Sequence, residues 1–220
     1  MPKTTKRTKT LITLVGLPCR GKSFLAKKLV IALTKEGYLT KDFNLGNYRR
    51  SLFPSKTKNS FFNFKNKKYR KIREKIAQTC LNDVFDWMRN KGEVAIFDGT
   101  NIINKRRSMI LNQTRQKNID NIFIELYIDN QPILNKMLEL KLKKSPDYKN
   151  ILKEKARHDF LKRIDHFKNA YEPLSSSDKF IRIINLGKKV EKNFTPQNYF
   201  EKNIYNYCIK SYKNLLTRIK

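Results

Sequence analysis

Residues 16–23 read Gly-Leu-Pro-Cys-Arg-Gly-Lys-Ser, which fits the spacing G-x-x-x-x-G-K-[ST] in full. This segment follows the apolar run 11–15 and precedes a stretch with leucines four residues apart, so we expect a loop between a buried strand and a helix. The glycines allow the backbone to curl, and its N–H groups then point at phosphate oxygens near the start of the helix. The sequence therefore predicts an α/β domain of the P-loop NTPase fold that binds a nucleoside triphosphate.

Two side chains of this loop supply the chemistry that a triphosphate needs. Lys22 is expected to reach the β- and γ-phosphates, and the Ser23 hydroxyl is expected to ligate Mg²⁺. A glycine turn without a ligand is the alternative, but the complete motif in this position favours phosphate binding. The motif predicts ATP and Mg²⁺ as cofactors and does not identify the acceptor.

Short apolar runs alternate with longer amphipathic ones along the rest of the chain. We predict strands at 11–15, 42–45, 94–97, 122–128 and 180–186. We predict helices at 22–35, 69–90, 104–116, 133–143 and 153–171 and from about 197, with an irregular stretch at 51–67. This alternation indicates a doubly wound, mainly parallel sheet with helices on both faces. Residues 1–10 are predicted to be a basic tail and residues 11–220 a single P-loop domain.

An aspartate ends the third predicted strand. Asp98 follows the apolar residues 94–97 and should lie beside the phosphate loop, at the carboxyl end of the sheet. There it can hold Mg²⁺ or accept a proton from an attacking hydroxyl. The alternative is a helix cap, which Thr100 and Asn101 could provide equally well.

Arginines also follow the ends of predicted strands. Guanidinium groups bind a phosphate monoester in a fork geometry that lysine cannot match. For any one arginine a solvated surface charge is the simpler reading, but as a set they suggest a pocket for a second phosphorylated ligand. The set comprises Arg49, Arg50, Arg73, Arg106, Arg107 and Arg163.

The composition adds a strong positive charge. The chain has 49 Lys+Arg and 19 Asp+Glu, a formal net charge of +30, which should attract polyanions weakly. Lysine is frequent throughout the chain, so a basic solvated surface explains the charge as well as nucleic-acid binding does. No apolar run is long enough to span a membrane.

Three widely spaced cysteines without a C-x-x-C motif predict a reduced, cytoplasmic protein. One of them, Cys19, lies in the phosphate loop and is followed closely by Arg20 and Lys22. These positive neighbours and the helix N-terminus should lower its thiol pKa and favour oxidation. A small residue that the loop merely tolerates is the alternative.

Several further motifs, taken with the phosphate loop, closely resemble the kinase domain of the 6-phosphofructo-2-kinase/fructose-2,6-bisphosphatase family. The resemblance covers about residues 11–186. The segments that carry it, in order, are Phe43-Asn44-Leu45-Gly46-Asn47-Tyr48-Arg49-Arg50, Phe97-Asp98-Gly99-Thr100-Asn101, Ser145-Pro146-Asp147-Tyr148-Lys149, Asp159-Phe160-Leu161-Lys162-Arg163-Ile164 and Tyr171-Glu172-Pro173-Leu174.

The resemblance implies transfer of the γ-phosphoryl group of ATP to the 2-hydroxyl of fructose 6-phosphate. It implies catalytic roles for Lys22, Asp98 and Lys141, with Lys143 as a rival to Lys141. The implied ATP-binding residues are Gly16, Leu17, Pro18, Cys19, Arg20, Gly21, Lys22, Ser23 and Phe24, and the implied metal-binding residues are Ser23 and Asp98. The implied sugar-phosphate residues are Arg49, Arg73, Thr100, Arg106, Lys141, Arg163 and Phe167.

Two departures from the family pattern matter. A sugar-contacting tyrosine of the family falls on Phe167, which cannot donate a hydroxyl hydrogen bond. The family's bisphosphatase domain needs an Arg-His-Gly motif, whereas His158 and His166 both lie in a predicted helix. We therefore expect a kinase-only protein or a fragment of a longer chain, with a homodimer as a candidate assembly.

Two other functions remain open at this point. A P-loop kinase acting on a polynucleotide 5′-hydroxyl would share the loop and the Asp98 strand end, and the charge would suit its substrate. A degenerate kinase fold that serves as a basic binding module is the non-enzymatic alternative.

Overall fold

Six strands form one sheet in the computed structural model, which describes residues 8–53 and 59–219, with side chains up to residue 212. The strands are β1 (Thr10–Val15), β2 (Thr40–Asn44), β3 (Val94–Asp98), β4 (Asp120–Tyr127), β5 (Phe180–Ile184) and β6 (Lys189–Lys192). Their order is β2-β3-β1-β4-β5-β6; the first five are parallel, and β6 pairs antiparallel with β5. The predicted mainly parallel sheet is confirmed.

Helices cover both faces of this sheet. They are α1 (Lys22–Lys35), α2 (Leu45–Leu52), α3 (Lys67–Asn90), α4 (Asn104–Gln116), α5 (Gln131–Lys144), α6 (Lys153–Lys168) and α7 (Tyr199–Ile219). Ile12 faces a core shared with α1, α5, α6 and α7, whereas its neighbour Leu11 faces a core shared with α3 and α4. Because side chains alternate along a strand, β1 must be apolar on both faces, and all six of its residues are buried.

The second strand begins two residues earlier and ends one residue earlier than the sequence predicts. Leu45 was expected in the strand but begins α2, because Asn44 accepts a hydrogen bond from the Asn47 N–H and caps the helix. The stretch 51–67 is not wholly irregular, since α2 continues to Leu52 and a short 3-10 helix spans Asn59–Phe62. Residues 54–58 of that stretch lie outside the described residues, as do residues 1–7 of the predicted tail.

The last strands also differ from the prediction. β5 ends at Ile184 rather than at residue 186, and the short edge strand β6 was not predicted. The helix predicted over 153–171 ends at Lys168 and contains both histidines of the chain. Within residues 8–53 and 59–219, no helix combines the length and apolarity that a membrane crossing requires.

Candidate active site

The phosphate loop joins β1 to α1 in a conformation that needs glycine. Gly16 has φ 136°, and a Cβ there would lie 2.4 Å from the Leu126 carbonyl oxygen on β4. Gly21 has φ 88° and caps α1. The Gly16 N–H donates to the Thr100 carbonyl oxygen at 3.0 Å, which fixes the loop against the segment that follows β3. The positive φ angles favour glycine at both positions, and close packing against β4 further excludes a side chain at position 16.

Lys22 lies inside this loop and is 8% exposed. Its Nζ donates to the carbonyl oxygens of Gly16 and Leu17, both at 2.7 Å. Burial lowers the pKa of its ammonium group to about 7, although the carboxylate of Asp98 acts in the opposite direction. The ammonium form of Lys22 thus has few compensating anions, so a bound anion would stabilise it.

Asp98 ends β3 and is 3% exposed. It accepts a hydrogen bond from the Asn44 amide, and the same amide lies 3.3 Å from Ser23 Oγ, so Asn44 connects the two side chains. Burial raises the pKa of the Asp98 carboxyl, and the Ser23 hydroxyl and the charge of Lys22 oppose that rise. The expected juxtaposition of Asp98 with the loop is therefore present, and Asn44 is a third member that the sequence did not suggest.

The oxygen atoms of Ser23 and Asp98 fit a magnesium ion. Mg²⁺ prefers hard oxygen ligands and usually keeps several waters, so one carboxylate and one hydroxyl suffice when a nucleotide supplies the remaining ligands. In the described part of the chain, no cluster of three or more His, Cys, Asp or Glu side chains is placed to hold a metal. The residues present match an ion shared with a nucleotide better than an ion held by protein alone.

A cluster of arginines surrounds Asp147, a residue of the Ser-Pro-Asp-Tyr segment. Arg49 Nη2 donates to both carboxylate oxygens at 2.6 Å, Arg163 Nη1 lies at 3.4 Å, and Arg50 Nη1 lies at 3.5 Å. Arg49 is 4% exposed. Three guanidinium groups thus share one carboxylate, which leaves this buried cluster positively charged.

Arg73 and Arg106 form a second group of arginines. Arg106 makes a two-pronged ion pair with Glu74, at 2.7 and 2.6 Å. Arg73 donates to the carbonyl oxygens of Phe61 and Asn63, and burial followed by the Arg106 charge lowers its pKa to about 10. The four arginines that the resemblance implies as sugar-phosphate residues thus form two pairs, Arg49 with Arg163 and Arg73 with Arg106.

Aromatic rings from the segment 59–64 lie between these pairs. Phe61 contacts Arg73 at 5.9 Å and contacts Phe62 at 5.2 Å, measured to ring centroids. Phe167 is 5% exposed and packs against Phe62 and Phe64 at 5.8 and 5.5 Å. The sequence stretch predicted to be irregular therefore supplies the aromatic wall of the site.

Lys141 lies on α5 and connects the two halves of the site electrostatically. Its side chain is exposed, yet partial desolvation lowers its pKa, as does the charge of Arg163, while Cys19 and Asp98 act in the opposite direction. Lys143 is also exposed and follows two residues later, about 200° further round the helix. The charge interaction between Lys141 and Asp98 favours Lys141 over Lys143 as the site lysine.

Two expectations for this region are wrong. Burial raises the pKa of the Cys19 thiol to about 11, and its positive neighbours offset only part of that rise, which is opposite to the lowered pKa expected from its neighbours. Arg107, grouped above with the phosphate-binding arginines, is 2% exposed and donates to the carbonyl oxygens of Glu172 and Pro173 at 3.0 and 2.7 Å. It therefore anchors the Tyr-Glu-Pro-Leu segment.

The C-terminal helix also contacts the phosphate loop. Tyr212 of α7 is fully buried, and its hydroxyl lies 3.5 Å from the Gly21 carbonyl oxygen. Its ring packs at 5.9 Å from Phe24, which places the last residue of the predicted ATP-binding set against α7. No local motif marks this tyrosine, because its partner lies 191 residues away.

Comparison with known proteins identifies the family. A family model described as 6-phosphofructo-2-kinase matches residues 1–213. The chain belongs to the 6-phosphofructo-2-kinase family. The 6-phosphofructo-2-kinase/fructose-2,6-bisphosphatase of Aquarana catesbeiana is 38% identical over 201 residues, which are 89% of this chain and 43% of that protein. The fructose-2,6-bisphosphatase of Saccharomyces cerevisiae is 36% identical over 208 residues, 91% and 46% of the two chains. This 6-phosphofructo-2-kinase family chain thus spans less than half the length of these relatives.

Solved structures of other proteins share the fold of this chain. The APS kinase CysC of Mycobacterium tuberculosis in complex with AMPPNP and APS has a TM-score of 0.55 and 15% identity, covering 91% of this chain and 96% of that chain. Chaetomium thermophilum Kti12 in complex with ADP-AlF3 has a TM-score of 0.55 and 14% identity, covering 92% and 98%. At such identities the likeness shows a P-loop fold alone, and the predicted P-loop NTPase fold is confirmed.

Proposed function

We propose that this chain transfers the γ-phosphoryl group of ATP to the 2-hydroxyl of D-fructose 6-phosphate and so makes fructose 2,6-bisphosphate. The observation that supports the proposal is the presence of two separate groups of cationic side chains, Lys22 in the phosphate loop and the arginines around Asp147. Lys141 acts on Asp98 beside the phosphate loop and on Arg163 in the Asp147 cluster. Family membership supports ATP and fructose 6-phosphate as the two anions that bind to these groups.

On the nucleotide side, the chain binds and orients the triphosphate. The loop amides and Lys22 hold the phosphate oxygens, and Ser23 and Asp98 hold Mg²⁺ through oxygen atoms. Bound Mg²⁺ supplies neutralisation of the charge that develops on the phosphate oxygens. Asn44 donates to Asp98 and so restricts the orientation of its carboxylate. Catalysis then rests mainly on positioning and electrostatic stabilisation.

On the sugar side, the two arginine pairs hold the 6-phosphate and aim the 2-hydroxyl at the γ-phosphorus. Arg49 and Arg163 are supported by Asp147, while Arg73 and Arg106 are supported by backbone carbonyls and Glu74. Several guanidinium groups held in fixed orientations match a phosphomonoester in charge and in geometry. Thr100 and Phe167 complete this predicted set.

Asp98 has two roles open to it, and its contact with Ser23 favours one of them. A general base must reach the proton of the attacking hydroxyl, whereas a magnesium ligand must lie beside the other magnesium ligand. Because the Asn44 amide contacts both Ser23 Oγ and the Asp98 carboxylate, these two oxygen ligands lie close together, and we assign Asp98 to the magnesium shell.

The other functions considered for this chain have less support. The family match and the two buried arginine pairs favour a phosphorylated sugar over a polynucleotide 5′-hydroxyl. The complete loop with Lys22 and Ser23 in place favours an enzyme over a binding module. The excess of positive surface charge remains a prediction of weak, salt-sensitive polyanion binding.

The cysteines and the relatives support proposals for the cellular compartment and the partners of the protein. Three buried, unpaired cysteines suit a reducing compartment, so we assign the protein to the cytoplasm. The relatives named as combined kinase and bisphosphatase make a bisphosphatase domain a proposed partner of this kinase unit. A homodimer remains a prediction.

Identification of the product tests the proposal. Incubation with Mg·ATP and fructose 6-phosphate should yield a sugar bisphosphate whose 2-phosphate is released by mild acid, and an RNA or DNA 5′-hydroxyl end should not be phosphorylated. Lys22→Ala should lose nearly all turnover, and Asp98→Ala should lose at least about 100-fold. Phosphorylation of the polynucleotide end, or normal turnover by Lys22→Ala, would contradict the proposal.

A further inference from the structure

Phe62 lies in the short 3-10 helix Asn59–Phe62 and is 4% exposed. The guanidinium carbon of Arg163 lies 3.7 Å from the centroid of its ring, and that of Arg49 lies 5.6 Å away. Both distances are within the range in which a cation is attracted to an aromatic face. One ring therefore contacts two of the arginines proposed to hold the sugar phosphate.

These arginines repel each other. Arg49 and Arg163 share the carboxylate of Asp147 with Arg50, so positive charge exceeds negative charge around that residue. Burial lowers the pKa of Arg163, and the nearby charge of Arg49 lowers it further. A contact that adds no negative charge can help to hold the guanidinium groups in place and leaves their charge available for phosphate.

An aromatic ring provides such a contact. Its face attracts a cation through its quadrupole and carries no net charge, so the arginine keeps its full charge for a ligand. We propose that Phe62 is a positioning residue that orients Arg49 and Arg163 for the phosphate dianion of the sugar substrate. This inference rests on the proposed function and assigns a task to a segment that the sequence presented as irregular.

The ring of Phe62 is itself held firmly. Phe61 packs edge-on against it at 5.2 Å, and Phe167 packs against it at 5.8 Å. At the start of the 3-10 helix, Asp159 accepts hydrogen bonds from the Asn59 backbone N–H and side-chain amide, at 3.2 and 2.8 Å. A ring fixed from several sides can restrict the arginines that lie on it.

The test compares two substitutions at this position with a matched control elsewhere. Phe62→Leu removes the aromatic face and retains an apolar side chain, whereas Phe62→Tyr retains the face. Phe85→Leu is the control, because Phe85 is 5% exposed and has Lys117 5.2 Å from its ring centroid. It lies near Lys9 and Ile119 at the amino ends of β1 and β4, whereas the phosphate loop follows the carboxyl end of β1. Thermal melting of all three shows how much stability each loses.

Phe62→Leu should raise the KM for fructose 6-phosphate about three- to tenfold, with kcat and the KM for ATP within about twofold of wild type. Phe62→Tyr should restore the wild-type KM, and Phe85→Leu should not change it. An unchanged KM in Phe62→Leu overturns the proposal, and so does an equal rise in Phe62→Tyr, which would indicate loss of packing alone. If Phe62→Leu melts too low to assay, Phe62→Met replaces it.

A separate measurement keeps this inference distinct from the proposed function. Failure of the wild-type protein to phosphorylate fructose 6-phosphate overturns the function, and titration with inorganic phosphate then tests Phe62 directly. The dissociation constant for phosphate should rise about three- to tenfold in Phe62→Leu and stay constant in Phe85→Leu. Equal dissociation constants in wild type and Phe62→Leu overturn the positioning role.

Discussion

Arg49 donates through one nitrogen to both carboxylate oxygens of Asp147, at 2.6 Å each, across 98 residues of sequence. The two side chains are 5% and 12% exposed. Burial by itself would raise the pKa of the Asp147 carboxyl, but the hydrogen bond and charge of Arg49, with Arg163 and Arg50, outweigh it and hold the pKa below its usual value. This ion pair joins α2 to the segment after α5.

Removal of one partner of this pair should destabilise the fold strongly. We expect Asp147→Ala to lower the free energy of unfolding by about 3–5 kcal/mol, because it leaves the buried Arg49 charge uncompensated. Urea denaturation at neutral pH measures the loss. Asp86 is a matched control, since its ion pair with Arg89 at 3.1 Å is largely exposed and its loss should cost less than about 1 kcal/mol. Equal losses in the two variants would contradict the importance of the buried pair.

The same carboxylate should make stability depend on acid. Its pKa is lower in the folded chain than in the unfolded chain, so the unfolded state takes up the proton first as pH falls. The stabilisation is complete above the unfolded pKa of about 4 and is lost as pH falls through the lower folded value. Wild type should therefore lose more stability than Asp147→Asn between about pH 5 and pH 2. Parallel acid profiles in urea denaturation would show that Asp147 does not contribute.

Lys22 should couple nucleotide binding to proton uptake. Burial lowers its pKa to about 7, so at pH 8 most of the nucleotide-free protein carries a neutral lysine, and a triphosphate beside it restores the ammonium form. Binding of ATP at pH 8 should take up close to one proton, and affinity should fall as pH rises above about 7. Calorimetry in buffers with different ionisation enthalpies measures the uptake.

Lys22→Arg provides the control for this experiment, because arginine remains protonated throughout the range. It should show less proton uptake than wild type at pH 8. If both proteins take up the same number of protons, a group other than Lys22 is responsible.

The parts of the site that could be predicted from sequence are those set by local spacing. The strand, loop and helix around Gly16, Gly21 and Lys22 follow from one motif, because the residues that shape the loop also bind the phosphate. Asp98 could be placed for a similar reason, since it ends an apolar strand in a parallel sheet.

The parts that could not be predicted depend on contacts between distant segments. Asp147 lies in a recognisable motif, but its role appears only when α2 and α6 bring Arg49 and Arg163 to it. Arg106 and Arg107 are adjacent in sequence yet about 100° apart round α4, so one meets Glu74 and the other turns into the core.

Cys19 shows why local charge alone misleads. Its neighbours Arg20 and Lys22 do lower its pKa, as their charges predict, but burial raises it more. That burial comes from helices and strands that are remote in sequence, and no local pattern reveals it.

Separate substitutions of Lys141 and Lys143 can settle which of them is the site lysine. Lys141→Ala should reduce turnover by at least about tenfold, because it removes a charge that acts on both Asp98 and Arg163. Lys143→Ala removes the same side chain from another side of α5 and should leave turnover within about twofold of wild type. Steady-state kinetics of both variants, with circular dichroism to confirm folding, makes the comparison. A larger loss in Lys143→Ala would assign the role to that residue.

Phe167 offers a substitution that should improve the enzyme. The ring lies against Phe62 and Phe64, next to the proposed sugar-phosphate arginines, and carries no hydroxyl. The resemblance places a sugar-contacting tyrosine at this position, so Phe167→Tyr should add one hydrogen bond to the sugar phosphate. A hydrogen bond worth roughly 0.5–1.5 kcal/mol should lower the KM for fructose 6-phosphate about two- to tenfold. The KM for ATP should not change, since the phosphate loop is formed by other residues. Steady-state kinetics with each substrate varied in turn measures both constants, and a rise in the sugar-phosphate KM would mean that the buried ring has no room or partner for the hydroxyl.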